Sequence, residues 1–449
     1  MFGRFVVFAL GLVVFRKSLI FSFSMLVEFE ELYDAYIDCR KHKRSSSNCQ
    51  DFEIDATRKL WNLWKDLNSG KYEIGRSIAF IVHHPKDREV FAADFRDRIV
   101  HHLVIRRMTD MLEKEFIEDS YSCRKGKGTL FGIKRCQIYI QKVSKNYTKK
   151  AYILKGDFKS FFMRIDKTKM YQSICRLLEE KSGYGEQDMT FMKRVIHQIV
   201  FNQPQDNSIR KQPKSAWNCL PADKSLYHCD DNHGLPIGNL TSQIFANLFL
   251  SGFDHWVKDT LGIKEYGRYV DDFFIVSADL KKLQMLIPRI KEFLQDYGVT
   301  LHPHKVSIQE AHCGLQFLGQ VIKPYGRVVA RKTVGQLYTK LNTFNDFIVW
   351  HKKRNLEIER ADVEYMVSSV NSYYGYMRQT KSARLRKKTA KVKLIKEVLE
   401  YAHFDNNYNK IIKNKDNDGK QQIIYEDKYS CRLRPLGRRR RLQVVKAVS

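Results

Sequence analysis

The stretch that decides the fold is Tyr269-Val270-Asp271-Asp272-Phe273. Apolar residues flank two adjacent carboxylates: Tyr269 and Val270 before them, and Phe273, Phe274, Ile275 and Val276 after. That pattern predicts a strand, a turn carrying both Asp, and a second strand. A buried hairpin of this kind presents Asp271 and Asp272 at its tip, because side chains alternate across a strand. Adjacent carboxylates repel and raise each other's pKa unless a cation neutralises them. Hard divalent ions such as Mg²⁺ take one or two carboxylates together with phosphate oxygens. The pair therefore reads as half of a two-metal phosphoryl-transfer site. Taken alone, a surface turn is the simpler reading, and only the rest of the chain reverses that.

The chain has 449 residues, enough for two or three domains. Lys and Arg number 79 against 50 Asp and Glu, a net charge of +29. Such an excess implies a polyanionic partner, either nucleic acid or an acidic membrane surface. An aromatic content of 12% suits stacking on bases, and equally suits the filling of cores. Nine scattered cysteines form no C-x-x-C pair, and the Cys219, His228, Cys229, His233 group matches no common zinc spacing. Thiols of that kind are expected to be reduced, in a cytoplasmic protein.

Residues 1–27 are an apolar extension broken by Arg16-Lys17, too interrupted to span a bilayer. A basic start and an apolar run resemble a signal peptide, but no small-residue cleavage site follows. The expectation is that translation starts at Met25, since an ordinary amphipathic helix is predicted from Glu28 to Arg44.

A second helix is predicted over Asp51–Leu67, with Trp61 and Trp64 on its apolar side, followed by short strands around Tyr72–Val82. Lys86 and Arg88 lie near a predicted turn, and read either as solvated charges or as a clamp on nucleotide phosphates. Arg124, Lys125 and Lys127 sit in a glycine-containing basic loop that lacks the Walker pattern. It is a candidate contact for a nucleic-acid backbone, and a plain loop reads equally well. Ala151–Asp157 is a predicted strand ending in a single carboxylate, followed by Phe158-Lys159-Ser160-Phe161-Phe162. Asp157 is then a third metal ligand or, less well, a helix N-cap, because the next helix begins ten residues later.

Residues 203–233 are predicted to be a long loop ending in Gly234-Leu235-Pro236-Ile237-Gly238-Asn239-Leu240-Thr241-Ser242-Gln243 and a helix. After the Asp-Asp hairpin come a helix over Leu280–Tyr297 and a predicted strand Val299–Ser307 containing Lys305. A hairpin with a Pro324-Tyr325-Gly326 turn follows. From Thr333 to about His403 the pattern is helical and basic, including Arg386-Lys387-Lys388, which suits a module gripping a duplex backbone. Residues 404–449 read as a polar, mobile tail with an Arg438–Arg441 run.

Taken in order, these blocks resemble reverse transcriptases over roughly residues 50–400. The resemblance implies an α+β right-hand polymerase, with fingers, a palm built on an antiparallel sheet, and a helical thumb. It implies fingers and palm in 28–325 and a thumb in 326–403. Asp157, Asp271 and Asp272 match the palm carboxylates, which in the family hold two Mg²⁺ ions, with Mn²⁺ as the alternative. Phe162, five residues after Asp157, matches the gate that excludes a ribose 2′-hydroxyl. Arg88 and Lys86 match basic fingers residues on the triphosphate. Phe158, Ile237, Gly238 and Gln243 fall at nucleotide-side positions, and Lys305 at the position associated with protonating pyrophosphate. Template RNA, primer or cDNA, and deoxynucleoside triphosphates are the implied ligands, and no membrane is.

Most reverse transcriptases carry Gln before that Gly and Pro after that Ser. Here Ile237 and Gln243 stand instead, which looks like the enzymes of diversity-generating retroelements. Asn371-Ser372-Tyr373-Tyr374-Gly375 is similar to the thumb of that group. The resemblance implies a cytoplasmic, bacterial or phage-encoded enzyme that copies a template-repeat RNA with errors opposite adenine, alongside a small basic accessory protein. Other bacterial reverse transcriptases, of the group II intron or abortive-infection type, are the runner-up. A non-catalytic RNA-binding protein would have no need of three carboxylates and Phe162.

Overall fold

The computed structural model describes residues 26–414 apart from 42, 45, 84, 85 and 395. The expectations for residues 1–25, the Met25 start among them, and for Arg438–Arg441 lie outside these residues. In chain order the main elements begin with α1 (Phe29–Arg40), α2 (Ser47–Glu53), α3 (Ala56–Ser69), β1 (Ile78–Val82) and β2 (Arg88–Ala92). They continue with α4 (Phe95–Glu115), α5 (Thr129–Val143), β3 (Tyr152–Asp157), α6 (Lys167–Lys181), α7 (Glu186–Phe201), β4 (Ile209–Arg210) and α8 (Leu240–Phe249). The second half holds β5 (Tyr266–Tyr269), β6 (Asp272–Ser277), α9 (Leu280–Gln295), β7 (Ser307–Glu310), β8 (Leu315–Phe317), β9 (Gln320–Lys323) and β10 (Gly326–Val329). Helices α10 (Arg331–Lys352), α11 (Arg360–Met377) and α12 (Ala383–Val392), then strands β11 (Ala402–Phe404) and β12 (Ile411–Lys413), complete it. The class is α+β, as expected.

Two compact units divide the chain: residues 1–116 with 162–251, and residues 117–161 with 252–449. In the first unit, α4 starts where the Asp94 carboxylate accepts from the Arg96 amide at 2.9 Å. It buries Ile99, Leu103, Val104 and Met108 at helical spacing. Asp166 caps α6 in the same way, through the Lys169 amide at 2.9 Å. Strands β1 and β2 form an antiparallel hairpin, with β4 added in parallel on the far edge of β1.

In the second unit, a sheet of order β5-β6-β3-β7, antiparallel throughout, carries the Asp-Asp turn. One face packs on α5 through Ile133, Cys136 and Ile140. On the other face Gly156 lies under the Phe273 ring, and a Cβ at 156 would meet that ring at 2.2 Å. Phe158, Phe253 and Tyr266 pack around Phe273 with ring centroids 5.5–6.3 Å away. Strands β8, β9 and β10 form a separate meander. Beyond it, α10 and α11 enclose a core of Leu341, Phe344, Phe347, Met366 and Val370.

Several local expectations are corrected. Asp51–Leu67 is two helices broken at Ile54-Asp55, and the buried side of α3 is Leu60, Leu63 and Leu67 rather than Trp61. Trp61 stays exposed and stacks on Trp64 at 4.8 Å, while the Trp64 indole donates to the Val27 carbonyl. Lys305 lies in a turn ahead of β7, not in a strand. The region after Thr333 is not helical throughout: β11 and β12 pair as a hairpin that reaches into residues 404–414. The loop 203–233 holds only short helical turns and β4. It is pinned through Glu89 of β2, whose carboxylate accepts from Trp217 Nε1 at 2.8 Å, Ser225 Oγ at 2.9 Å and the Leu226 amide at 2.6 Å.

Candidate active site

The site is assembled by register. Asp157 is the last residue of β3, Asp272 the first of β6, and the two are paired directly across the sheet. Asp271 occupies the two-residue turn between β5 and β6, and its carbonyl accepts from the Phe158 amide at 3.3 Å. The segment after α9 closes the other side of β3: the His302 amide donates to the Asp157 carbonyl at 2.8 Å, and the Lys159 amide to Thr300 at 2.8 Å. This brings Lys305 Nζ to 2.6 Å from Asp157 Oδ1. On the opposite flank Lys155 Nζ lies 3.5 Å from Asp272 Oδ1.

Burial pushes the Asp271 carboxyl up to about 6, and the neighbouring charges of Asp157 and Asp272 push the same way. Asp272 is also raised by burial, against the pull of Lys155. Among the described residues, ion pairs to these carboxylates come from Lys305 and Lys155. Three carboxylates with two ammonium groups leave an excess of negative charge, and the donors are all hard oxygens. That set fits a divalent ion of the Mg²⁺ type. Among the described residues, the three donors that lie within 4.8 Å of one another are those of His83, Asp87 and Cys219, all exposed, whereas Asp157, Asp271 and Asp272 form no such group.

The other sequence candidates fall into two groups. In the first unit Arg88 and Lys86 are exposed, at and just before the start of β2. Phe162 and Ile237 are half-buried against Ala79, Phe91, Met163 and Leu226. The Ile237 carbonyl accepts from the Phe91 amide at 2.9 Å. Gly238 has φ +128°, and a Cβ there would sit 2.8 Å from Val90, so this approach of the backbone to β2 requires glycine. Gln243 is exposed on the first turn of α8. Lys125, Lys387 and Lys388 are exposed as expected.

Four expected contact residues are turned inward. Phe158 is 1% exposed, its ring packed among Phe161, Phe253 and Phe273, so only its backbone reaches the site. Arg124 donates to the Ile117 and Ser120 carbonyls at 2.6 and 2.9 Å, which folds its own loop. Lys127 pairs with Glu118 and covers the Phe131 ring. Arg386 is 7% exposed and binds Ser382 Oγ, the Tyr408 carbonyl and Asn409 Oδ1. Each guanidinium or ammonium is engaged by groups of the chain itself.

Sequence reasoning missed Lys155, and it missed Arg268 with its partner Asp254, both fully buried. A charged residue between Tyr266-Gly267 and Tyr269 ahead of the apolar hairpin was the one signal that could have drawn attention to Arg268.

Among the described residues no helix is long and apolar enough to cross a membrane. No curated protein matches the chain. Its fold is similar to telomerase from Candida albicans in complex with a fragment of telomeric RNA, at 11% identity and a TM-score of 0.44, covering 74% of this chain and 56% of that one. Apo telomerase from Candida tropicalis, truncated from its C-terminal domain, is similar at 14% identity and a TM-score of 0.40, covering 55% of this chain and 53% of that one. The chain thus spans about half the length of these structures. The family described as reverse transcriptase (RNA-dependent DNA polymerase) matches residues 86–322, more than half of the sequence. The chain belongs to the reverse transcriptase family.

Proposed function

We propose that the protein is an RNA-directed DNA polymerase, extending a primer on an RNA template with deoxynucleoside triphosphates. The observation that carries this reading is the register that sets Asp157 opposite Asp272 with Asp271 in the adjoining turn. Asp157 and Asp271 are the principal metal ligands in this reading, with Asp272 beside them. Two Mg²⁺ ions held there, or Mn²⁺ in their place, supply activation of the primer 3′-hydroxyl and stabilisation of the leaving pyrophosphate. Lys305 is the group that hands a proton to pyrophosphate, and Arg88 and Lys86 hold the triphosphate. Phe162 rejects the ribose 2′-hydroxyl. Residues 28–325 act as fingers and palm and 326–403 as the thumb, where Lys387 and Lys388 contact the backbone, as Lys125 does elsewhere.

The finer reading is a diversity-generating retroelement enzyme, which copies a template-repeat RNA in the cytoplasm with errors at adenine and works with a small basic accessory protein. Ile237 and Gln243 support it. An aliphatic side chain in place of an amide removes hydrogen bonds that help align a base pair, so discrimination that depends on such contacts weakens.

Primer extension on an adenine-containing RNA with Mg²⁺, followed by cDNA sequencing, tests both levels, with Asp271→Ala as control. Synthesis that the control lacks supports the polymerase, and errors concentrated at adenines support the subtype. Accurate synthesis removes the subtype alone. No synthesis, even with accessory protein and native RNA present, removes the polymerase.

A further inference from the structure

We infer that Arg268 is a positioning residue for the carboxylate turn: braced by Asp254, it holds the Val270 carbonyl and thereby sets where Asp271 points. This inference rests on the reading of Asp157, Asp271 and Asp272 as a metal-binding centre.

The turn needs holding. Strands β5 and β6 stay paired up to Tyr269 and Asp272, so Val270 and Asp271 alone reverse the chain. Val270 has φ +56°. Two-residue hairpins demand positive φ, and glycine or asparagine usually supplies it. A β-branched residue there is strained, and such strain persists only where the surroundings over-determine the conformation.

Arg268 provides that constraint. Its Nη1 donates to the Val270 carbonyl at 2.9 Å, two residues along the same hairpin. The rest of the guanidinium forks onto Asp254, with Nε at 2.7 Å from Oδ1 and Nη2 at 2.5 Å from Oδ2. Tyr266 Oη donates to the same carboxylate at 2.5 Å. Both charged side chains are 0% exposed. The backbone of Arg268 is fixed as well, its amide donating to the Asp119 carbonyl at 2.9 Å and its carbonyl accepting from the Tyr121 amide at 3.0 Å. A planar fork pinned on two sides leaves its third donor one direction, along which the Val270 carbonyl lies. Burying an ion pair gains little stability over an apolar pair of the same size, so a positional role accounts for it better than a stabilising one. The Val270 carbonyl is one peptide unit from the Asp271 Cα, so a shift of that peptide swings the carboxylate directly.

The test is Mn²⁺ binding followed by paramagnetic titration on the full chain, without turnover, beside single-nucleotide primer extension. Arg268→Lys keeps the charge facing Asp254 but cannot fork to both partners. Arg268→Met with Asp254→Leu removes the pair without stranding a buried carboxylate. Each is expected to weaken Mn²⁺ binding by about tenfold and to lower kcat more than it changes the nucleotide KM, as loss of a group that orients metal ligands does. Adding Val270→Gly to Arg268→Lys is expected to recover part of the Mn²⁺ affinity, because glycine adopts the turn without the strut. Wild-type affinity in a folded variant overturns the inference, as does unfolding of both variants, which makes the pair purely structural. A wild-type protein that binds no Mn²⁺ removes the metal-centre reading and this inference with it. Wild-type binding that Asp271→Ala abolishes and both Arg268 variants leave intact removes this inference alone.

Discussion

Lys305 Nζ and Asp157 Oδ1 lie 2.6 Å apart, and the lysine side chain is 40% exposed. An ammonium group is therefore held on one of the proposed metal ligands from a position where it can leave. A metal bound at Asp157 would compete with the lysine for that carboxylate.

Removing the lysine should strengthen metal binding. A half-exposed pair of this kind is worth about 1 kcal/mol, which converts to roughly fivefold in affinity. Lys305→Ala is expected to bind Mn²⁺ about that much more tightly while its kcat falls, since the proposed proton donor for pyrophosphate is gone. Calorimetric titration with Mn²⁺ and single-turnover extension measure the two effects. Weaker metal binding in the variant would show that Lys305 helps to organise the ligands rather than competing for them.

Asp271 sets the pH dependence. Its carboxyl is raised from 3.8 to about 6, so between those values the folded protein holds a proton that the unfolded chain has lost. In the metal-free protein this contribution to stability declines as pH rises through that window. Metal ligation needs the carboxylate, so bound metal offsets the loss above about pH 6 and little below it. The melting temperature should rise more with Mg²⁺ at about pH 7.5 than at about pH 5, and extension at limiting Mg²⁺ should fall off below about pH 6. Saturating Mg²⁺ should move that limb to lower pH. A limb that ignores Mg²⁺ concentration would assign the titration to another group.

Ile237→Gln tests the error-prone reading. The backbone at 237 is held by Phe91 and the side chain is only half-buried against its cluster, so the substitution should be tolerated structurally. Misincorporation opposite template adenine is expected to drop, with other template bases little affected. Sequencing of cDNA from both proteins on one template measures it, and equal adenine error rates would defeat the idea.

What the sequence revealed and what it hid divide along a physical line. The Asp-Asp hairpin and α9 were legible because period-two and period-3.6 apolar patterns are local signals. The inward turn of Phe158 was missed although strand alternation sends the neighbour of Asp157 to the opposite face, because its motif position outweighed that alternation. Arg386 sits in a uniformly basic run, yet it shares the inner face of α12 with Thr389 and Ala390, a matter of helical phase rather than composition. The brace between Arg268 and Asp254 spans an irregular helix and a loop, and nothing in residue spacing announces it. Lys305 was placed near the site by motif order, whereas its contact with Asp157, 148 positions away, depends on β7 pairing with β3.

Glu89 should prove to be the anchor of the 203–233 loop. Its three donors, Trp217 Nε1, Ser225 Oγ and the Leu226 amide, lose their acceptor in Glu89→Ala. A buried donor left unpaired costs about 1–3 kcal/mol, so the loop should open locally while the rest of the unit stays folded. Limited proteolysis is expected to cut within 203–233 far faster in the variant. Equal cutting rates would mean that the other anchors, β4 and the Lys167 bonds to the Asp231 and Asn232 carbonyls among them, suffice to hold the loop.

Arg386, Lys387 and Lys388 look alike in sequence and should behave oppositely. The guanidinium of Arg386 satisfies Ser382, Tyr408 and Asn409 at 2.8–3.0 Å and ties α12 to the turn before β12. Arg386→Ala removes three charge-assisted bonds and is expected to destabilise the helical region by about 2–4 kcal/mol. Lys387 and Lys388 are exposed on the same helix, where neither is buried and both are free to face a phosphate backbone. Replacing either with Ala should leave the melting temperature unchanged and lower RNA affinity, reducing the slope of log affinity against log salt by about 1. Thermal unfolding and fluorescence titration across a salt series separate the two roles. A salt slope unchanged in both lysine variants would move the nucleic-acid contact off α12.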